Sequence, residues 1–187
     1  MANFSAAFGY DFEIVPVKNS LITDFASAPT ISGANPSADS SVTYATGAFT
    51  IDSTLYTMDG TDAPIRLAGL TQASLETDTG SEDIYTYDDE TSGFNQAVAT
   101  TKSFSISLSG IADFNDVGYK VLRLTEQNTV ADGLRVAFKR VGPTGTTEEI
   151  VGYGTLMGYS ESNEVSSIVS WECSISGYGP YHLTLAS

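Results

Sequence analysis

Residues 150–180 read IVGYGTLMGYSESNEVSSIVSWECSISGYGP. They spell two strands and the segment between them. In the second, Ile168 leads in, then Trp171, Cys173 and Ile175 fall on one side while Glu172, Ser174 and Ser176 fall on the other. Side chains alternate across a strand, so this pattern makes a half-buried strand with one apolar and one wet face. Gly177, Gly179 and Pro180 end it, and Ser160 to Glu164 is polar and turn-like. By itself this is the last hairpin of any β-sandwich.

The elements before it narrow the choice. Leu134 to Val141, LRVAFKRV, reads as a strand with Leu134, Val136 and Phe138 inward, followed by the turn Gly142-Pro143-Thr144-Gly145. Over residues 113–127 the period changes. Phe114, Val117, Val121, Leu122 and Leu124 follow helical spacing, with Lys120, Arg123 and Glu126 largely off that stripe. The pattern predicts one amphipathic helix packed on a sheet, with Asp113 as N-cap, Asp116 near the positive end and an Asp116–Lys120 pair at i, i+4. Gly118 inside it costs about 1 kcal/mol relative to Ala. Ser103 to Gly110, SFSISLSG, is the clearest strand: Phe104, Ile106 and Leu108 on one face, Ser103, Ser105, Ser107 and Ser109 on the other.

Residues 76–101 differ in kind. They carry Glu76, Asp78, Glu82, Asp83, Asp88, Asp89 and Glu90 without one Lys or Arg, and Ile84, Tyr85 and Tyr87 give them something to bury. The stretch reads as a long acidic loop, and loops beyond about 12–15 residues are usually functional or disordered. Upstream, Ala63 to Leu75 and GAFTIDSTLYTM (47–58) read as strands around the turn Asp59-Gly60-Thr61-Asp62. Residues 26–48, rich in Ser, Ala, Thr, Gly and Pro, read as a linker. Phe8, Tyr10, Phe12 and Ile14 alternate as a strand or extended arm. The division expected is an N-terminal extension with one or two strands over 1–60, then one β-sandwich domain over 61–187.

Composition removes several functions. A chain of 187 residues is large enough for one real core. Eight basic against 23 acidic residues give a net charge of −15, which argues against tight nucleic-acid binding because phosphate contacts need Lys and Arg. Five of those basic residues, Lys120, Arg123, Arg135, Lys139 and Arg140, crowd between 120 and 140, away from the acidic run. Cys173 is the single cysteine, so no intrachain disulfide can form, and its place on an apolar face reads as a buried, inert thiol. The N-terminus MANFSAAFGYDFEIV lacks the basic and apolar regions of a signal peptide, and no run approaches the roughly 20 apolar residues of a membrane span. Synthesis in a cytoplasm, without membrane contact, is expected.

Catalytic constellations are thin. With one histidine, His182, and one cysteine, a His/Cys metal site is disfavoured, and there is no G-x-S-x-G elbow for a hydrolase. Gly152-Tyr153-Gly154 lacks the rest of a dinucleotide fingerprint. Asp78, Gly80, Glu82 and Asp83 do not fit the spacing of a calcium loop, and a solvated or partner-facing charge run is the simpler reading. No enzyme activity, cofactor or metal is expected. Assembly remains. Sheet edges invite pairing with other chains, and segregated charge puts both halves of an electrostatic contact on one molecule. Heterologous contacts of that kind close into rings or extend into filaments.

The order of elements, with LTQASLETDTGSEDIYTYDD (70–89), TTKSFSISLSG (100–110) before the helix, DGLRVAFKRVG (132–142) after it and EVSSIVSWECSISGYGP (164–180), resembles the major tail tube proteins of tailed bacteriophages over about residues 64–180. The resemblance implies a mainly β fold: two packed antiparallel sheets, a flanking helix at about 113–127 and the acidic loop at about 76–101. It further implies a structural virion protein whose subunits form hexameric rings. Their inner sheets would join into a β-barrel, and the rings would stack into a tail tube that conducts DNA without binding it. The implied partners are further copies of the chain, tape-measure, tail-tip and tail-terminator proteins, and a sheath if the tail is contractile. Glu76, Asp78, Glu82, Asp83, Tyr85, Tyr87, Asp88, Asp89 and Glu90 would then lie between rings or against a neighbouring subunit. Lys120, Arg123, Arg135, Lys139 and Arg140 would be the counter-surface. Ser103, Ser105, Ser107, Glu172 and Ser174 are candidates for the bore. Phe104, Ile106, Leu108, Val117, Val121, Leu122, Val136, Phe138, Trp171, Cys173 and Ile175 would form the core. Two other readings stand beside it: a capsid decoration or head–tail completion protein, and a carbohydrate-binding or adhesin-like β-sandwich that uses Trp171 as a platform.

Overall fold

The computed structural model describes residues 11–19, 22, 25, 42–45, 48–51, 54–57, 66–84, 96–130, 133–142, 147–162 and 168–185. Among the described residues, ten strands and one helix run in the order β1 (Asp11–Lys18), β2 (Val42–Ala45), β3 (Ala48–Ile51), β4 (Thr54–Thr57), β5 (Leu70–Ile84), β6 (Gln96–Ile111), α1 (Val117–Gln127), β7 (Leu134–Val141), β8 (Glu149–Ser162), β9 (Ser170–Gly177) and β10 (His182–Thr184). The fold is mainly β with a single helix.

The strands around the core form one seven-stranded antiparallel sheet, ordered β1-β7-β8-β9-β6-β5 with β10 beside β8, and not two separate sheets. The reason lies in β8. Its first half pairs with β7 and its second half with β9, so one 14-residue strand joins both halves. A bulge between Met157 and Ser160 bends it there, with Gly158 in the left-handed region at φ 64°. β10 pairs with the start of β8 on the side away from β7, and so continues the lane of β9. β2, β3 and β4 form a separate three-stranded meander.

Register assigns the faces. Ile14 stands opposite Phe138, Leu156 opposite Ile175, Ile175 opposite Ile106 and Cys173 opposite Leu108. This face is the core, and α1 lies on it: Tyr119, Val121 and Leu122 are buried, and the Tyr119 ring is 6.0 Å from that of Trp171. Phe12 stacks on Phe138 at 6.0 Å, and Phe104 meets Phe138 at 5.8 Å. Phe12, Ile14, Val15 and Val17 are buried, so residues 11–18 are a strand of the main sheet and not a detachable arm.

Two local expectations are corrected. Residues 76–84 and 96–101 are not loop but strand, the outer part of a long β5–β6 hairpin paired from Leu70/Gly110 to Ile84/Gln96. Ala73, Leu75 and Thr77 alternate with Ser74, Glu76 and Asp78 in step with Ser103–Ser109, and this cross-strand pairing outweighs the acidic composition. Residues 85–95, with Tyr85, Tyr87, Asp88, Asp89 and Glu90, lie outside the described residues. The N-cap is Asp116 and not Asp113: its Oδ2 accepts from the Tyr119 N–H at 2.8 Å and also from Ala68 N–H at 3.2 Å. Asp113 instead holds the preceding turn by accepting from Asn115 N–H at 2.9 Å. Gly118 has a packing reason. A Cβ there would lie 2.2 Å from the Arg66 carbonyl oxygen, so the first turn of α1 closes on the chain before β5 only without a side chain.

Candidate assembly surfaces

The side of the sheet away from α1 carries the first surface. Ser107 pairs with Ser174, Ser105 with Ser176 and Ser109 with Glu172 across β6 and β9. On the other side of β6, Ser74 pairs with Ser107, Glu76 with Ser105 and Asp78 with Ser103. Residues directly opposite in an antiparallel pair share a face, so Ser103, Ser105, Ser107, Glu172 and Ser174 stand together. Glu76 and Asp78, read from sequence as loop residues, join them. Ser103, Ser107, Glu172, Glu76 and Asp78 are exposed, and Ser105 and Ser174 are half-buried. Among the described residues of β5, β6 and β9 this face holds no Lys or Arg; Lys102, one step out of phase with Ser103, belongs to the other face. The hydroxyls are partly satisfied locally: Ser174 Oγ donates to the Met157 carbonyl at 3.3 Å and Ser160 Oγ to Glu172 Oε1 at 3.1 Å. The result is a smooth, short-chained, weakly acidic surface across three strands.

The same side is covered elsewhere. Over β7 and β8, Phe25 packs edge-on against Tyr178 at 5.4 Å and Tyr153 at 6.3 Å, and the Arg135 guanidinium lies 5.4 Å over Tyr178. His182 Nε2 sits 3.2 Å from the Phe25 carbonyl oxygen. The histidine is therefore part of a packed corner.

The basic residues of 120–140 do not form one free patch. Arg123 pairs with Glu161 at 3.2 Å, Lys139 with Glu149 at 3.0 Å and Arg140 with Glu148 at 3.4 Å. Glu161 is a hub that sequence reading missed. Its Oε1 accepts from both the Tyr119 and Tyr159 hydroxyls as well as from Arg123, which also lies 5.3 Å over the Tyr159 ring. Those hydroxyl bonds hold its carboxyl below the ordinary glutamate value. Burial and the bonds to Glu161 push the Tyr159 hydroxyl up. No local spacing announces this cluster, because Tyr119 and Glu161 are 42 residues apart.

Phe104, Ile106, Leu108, Val121, Leu122, Val136, Phe138, Trp171, Cys173 and Ile175 are all buried. The side chain of Val117 lies outside the described residues. Trp171 is 2% exposed, so it cannot serve as a sugar-stacking platform. Burial pushes the Cys173 thiol up to about 12, well away from a reactive thiolate. No cluster of three or more metal-ligating side chains occurs among the described residues.

No family model and no curated sequence matches the chain. Solved structures do. The tail of an empty gene transfer agent particle, refined with C6 symmetry, matches at 17% identity and a TM-score of 0.50, over 63% of this chain and 83% of that one. The virion of a native gene transfer agent particle matches at the same identity and score, over 63% and 85%. A chain of the anti-feeding prophage baseplate, six-fold symmetrised, matches at 7% identity and 0.55, over 98% of this chain and 97% of that one. The chain shares its fold with chains of these tail, virion and baseplate assemblies.

Proposed function

We propose that this protein is a structural subunit of a phage tail tube. It self-associates into hexameric rings that stack into a tube in the virion tail, and DNA leaves through the bore. The observation that carries the reading is the serine face on a fold shared with tail assemblies. Ser103, Ser105, Ser107, Glu172 and Ser174, with Glu76 and Asp78, line the bore. Short hydroxyl side chains leave the passage wide, and carboxylates without cations repel phosphate, so DNA slides without a counterion-release term to hold it. The opposite face is committed to α1 and the core and is closed to such a role. Tape-measure, tip and terminator proteins, and a sheath in a contractile tail, are the partners this role requires; catalysis, cofactors and metals have no part in it.

The test is thiol accessibility. Ser107→Cys is exposed in the subunit, and native Cys173 is buried and silent. A bulky polyethylene-glycol maleimide is expected to label Ser107→Cys in dissociated subunits and not in assembled tubes, while Gln127→Cys, exposed at the end of α1, labels in both. Equal labelling of Ser107→Cys in both states would overturn the assignment of the bore.

A further inference from the structure

β6 pairs with β9 from Ser105 to Ile111, and its outer half, from Gln96 to Phe104, has no partner strand on that side among the described residues. β10 lies in the adjoining lane, and the gap between them is a groove of about 520 Å³ lined by Lys102, Phe104, Pro180, Tyr181 and Leu183. Leu183 stands opposite Ile150 and so shares the core face, and it is 48% exposed. Tyr181 meets Phe104 edge-on at 5.2 Å. This is core face that the packed elements leave open, at the root of the projecting β5–β6 ribbon.

Charge says what covers it. Lys102 is exposed and holds no ion pair among the described residues, unlike Arg66, Arg123, Lys139 and Arg140, each of which has a carboxylate of its own chain. Glu82, further out along β5 than the bore-lining Glu76 and Asp78, is likewise exposed and holds no ion pair among the described residues. A chain at −15 gains most where its acidic ribbon meets a cation not yet neutralised. A two-stranded ribbon is also marginal alone in water and gains from a surface to rest on. Its own groove is at its root, so the ribbon that fills a groove comes from another molecule.

We infer that the Lys102 groove is the seat for the acidic β5–β6 ribbon of a second copy, a heterologous contact in which every subunit offers both halves. This rests on self-assembly as proposed above. It moves the counter-surface from the 120–140 band, whose charges are largely engaged, to the groove.

The test uses two singly substituted full-length proteins, Glu82→Cys and Leu183→Cys, mixed before assembly and oxidised. A disulfide-linked dimer is expected only in the mixture, and only under conditions in which particles sediment. A second pair, Glu82→Cys with Lys139→Cys, is expected to stay uncrosslinked. Charge exchange supplies an independent readout: Lys102→Glu is expected to weaken assembly at least tenfold in critical concentration, and Glu82→Lys in the same chain to restore part of it. Assembly without the Glu82–Leu183 crosslink, or with the Glu82–Lys139 crosslink instead, overturns the groove and leaves the tube reading standing. If the unsubstituted protein never assembles, both fall.

Discussion

Ser107 of β6 stands directly opposite Ser174 of β9, on the side of the sheet away from α1. The pair sits within a face that also includes Ser103, Ser105, Ser109, Ser176, Glu172 and, on β5, Ser74, Glu76 and Asp78. Ser107 is exposed, while Ser174 is half-buried with its hydroxyl bonded to the Met157 carbonyl. Ser107→Lys with Ser174→Lys is expected to cost about 1 kcal/mol of folding stability, the loss of that one hydrogen bond, and to leave the fold intact. Tubes built from the double variant should retain duplex DNA at low salt and release it as salt rises, read by co-sedimentation. Tubes that hold no more DNA than the unsubstituted protein would argue that the face is not inside.

Gly118 offers a stability test with an unusual sign. In an ordinary exposed helix Gly→Ala gains about 1 kcal/mol. Here the new methyl meets the Arg66 carbonyl. Gly118→Ala is therefore expected to destabilise by about 1–3 kcal/mol through overpacking, read as a lower urea midpoint. A gain would mean that the first turn of α1 is not seated on the chain before β5.

Residues 11–18 are tested through Ile14, which is fully buried opposite Phe138. Ile14→Ala is expected to cost about 2–5 kcal/mol in chemical denaturation, the range for truncating a core side chain. A detachable arm would leave the midpoint unchanged.

The Glu161 hub predicts a pH dependence. Its carboxyl is held below its ordinary value of 4.5, chiefly by the Tyr119 and Tyr159 hydroxyls. A group with a depressed folded pKa binds protons more readily unfolded than folded, so its stabilisation is complete above the unfolded value and is lost as pH falls through the lower folded value. The stability difference between the native protein and Glu161→Gln is expected to be largest near neutral pH and to shrink below about pH 4. A difference independent of pH would assign the role of Glu161 to packing alone.

Strict alternation made the central strands legible. Trp171/Cys173/Ile175 and Phe104/Ile106/Leu108 each declare a buried face, and the core is built on them. The helix was legible from its changed period, but its cap was not. Asp113 and Asp116 are both good caps by type, and only the Ala68 N–H, brought in by the fold, distinguishes them. Residues 76–84 were hidden by their own chemistry: Asp, Glu and Gly80 are poor strand formers in isolation, while the partner that makes them a strand begins at Gln96, beyond a connection. Register across strands decided the rest. It placed Glu76 beside Ser105, put Lys102 on the opposite face and joined two apparent sheets through β8. None of these is a local property of the chain.

The central claim is self-assembly into a hollow tube. Negative-stain electron microscopy of the purified full-length protein, fresh and after concentration, tests it most directly. Rings or tubes of uniform width with a stain-filled bore and six-fold symmetry in averaged end views are the predicted result. Particles that stay single subunits at every concentration, or that form solid filaments without a bore, would contradict it.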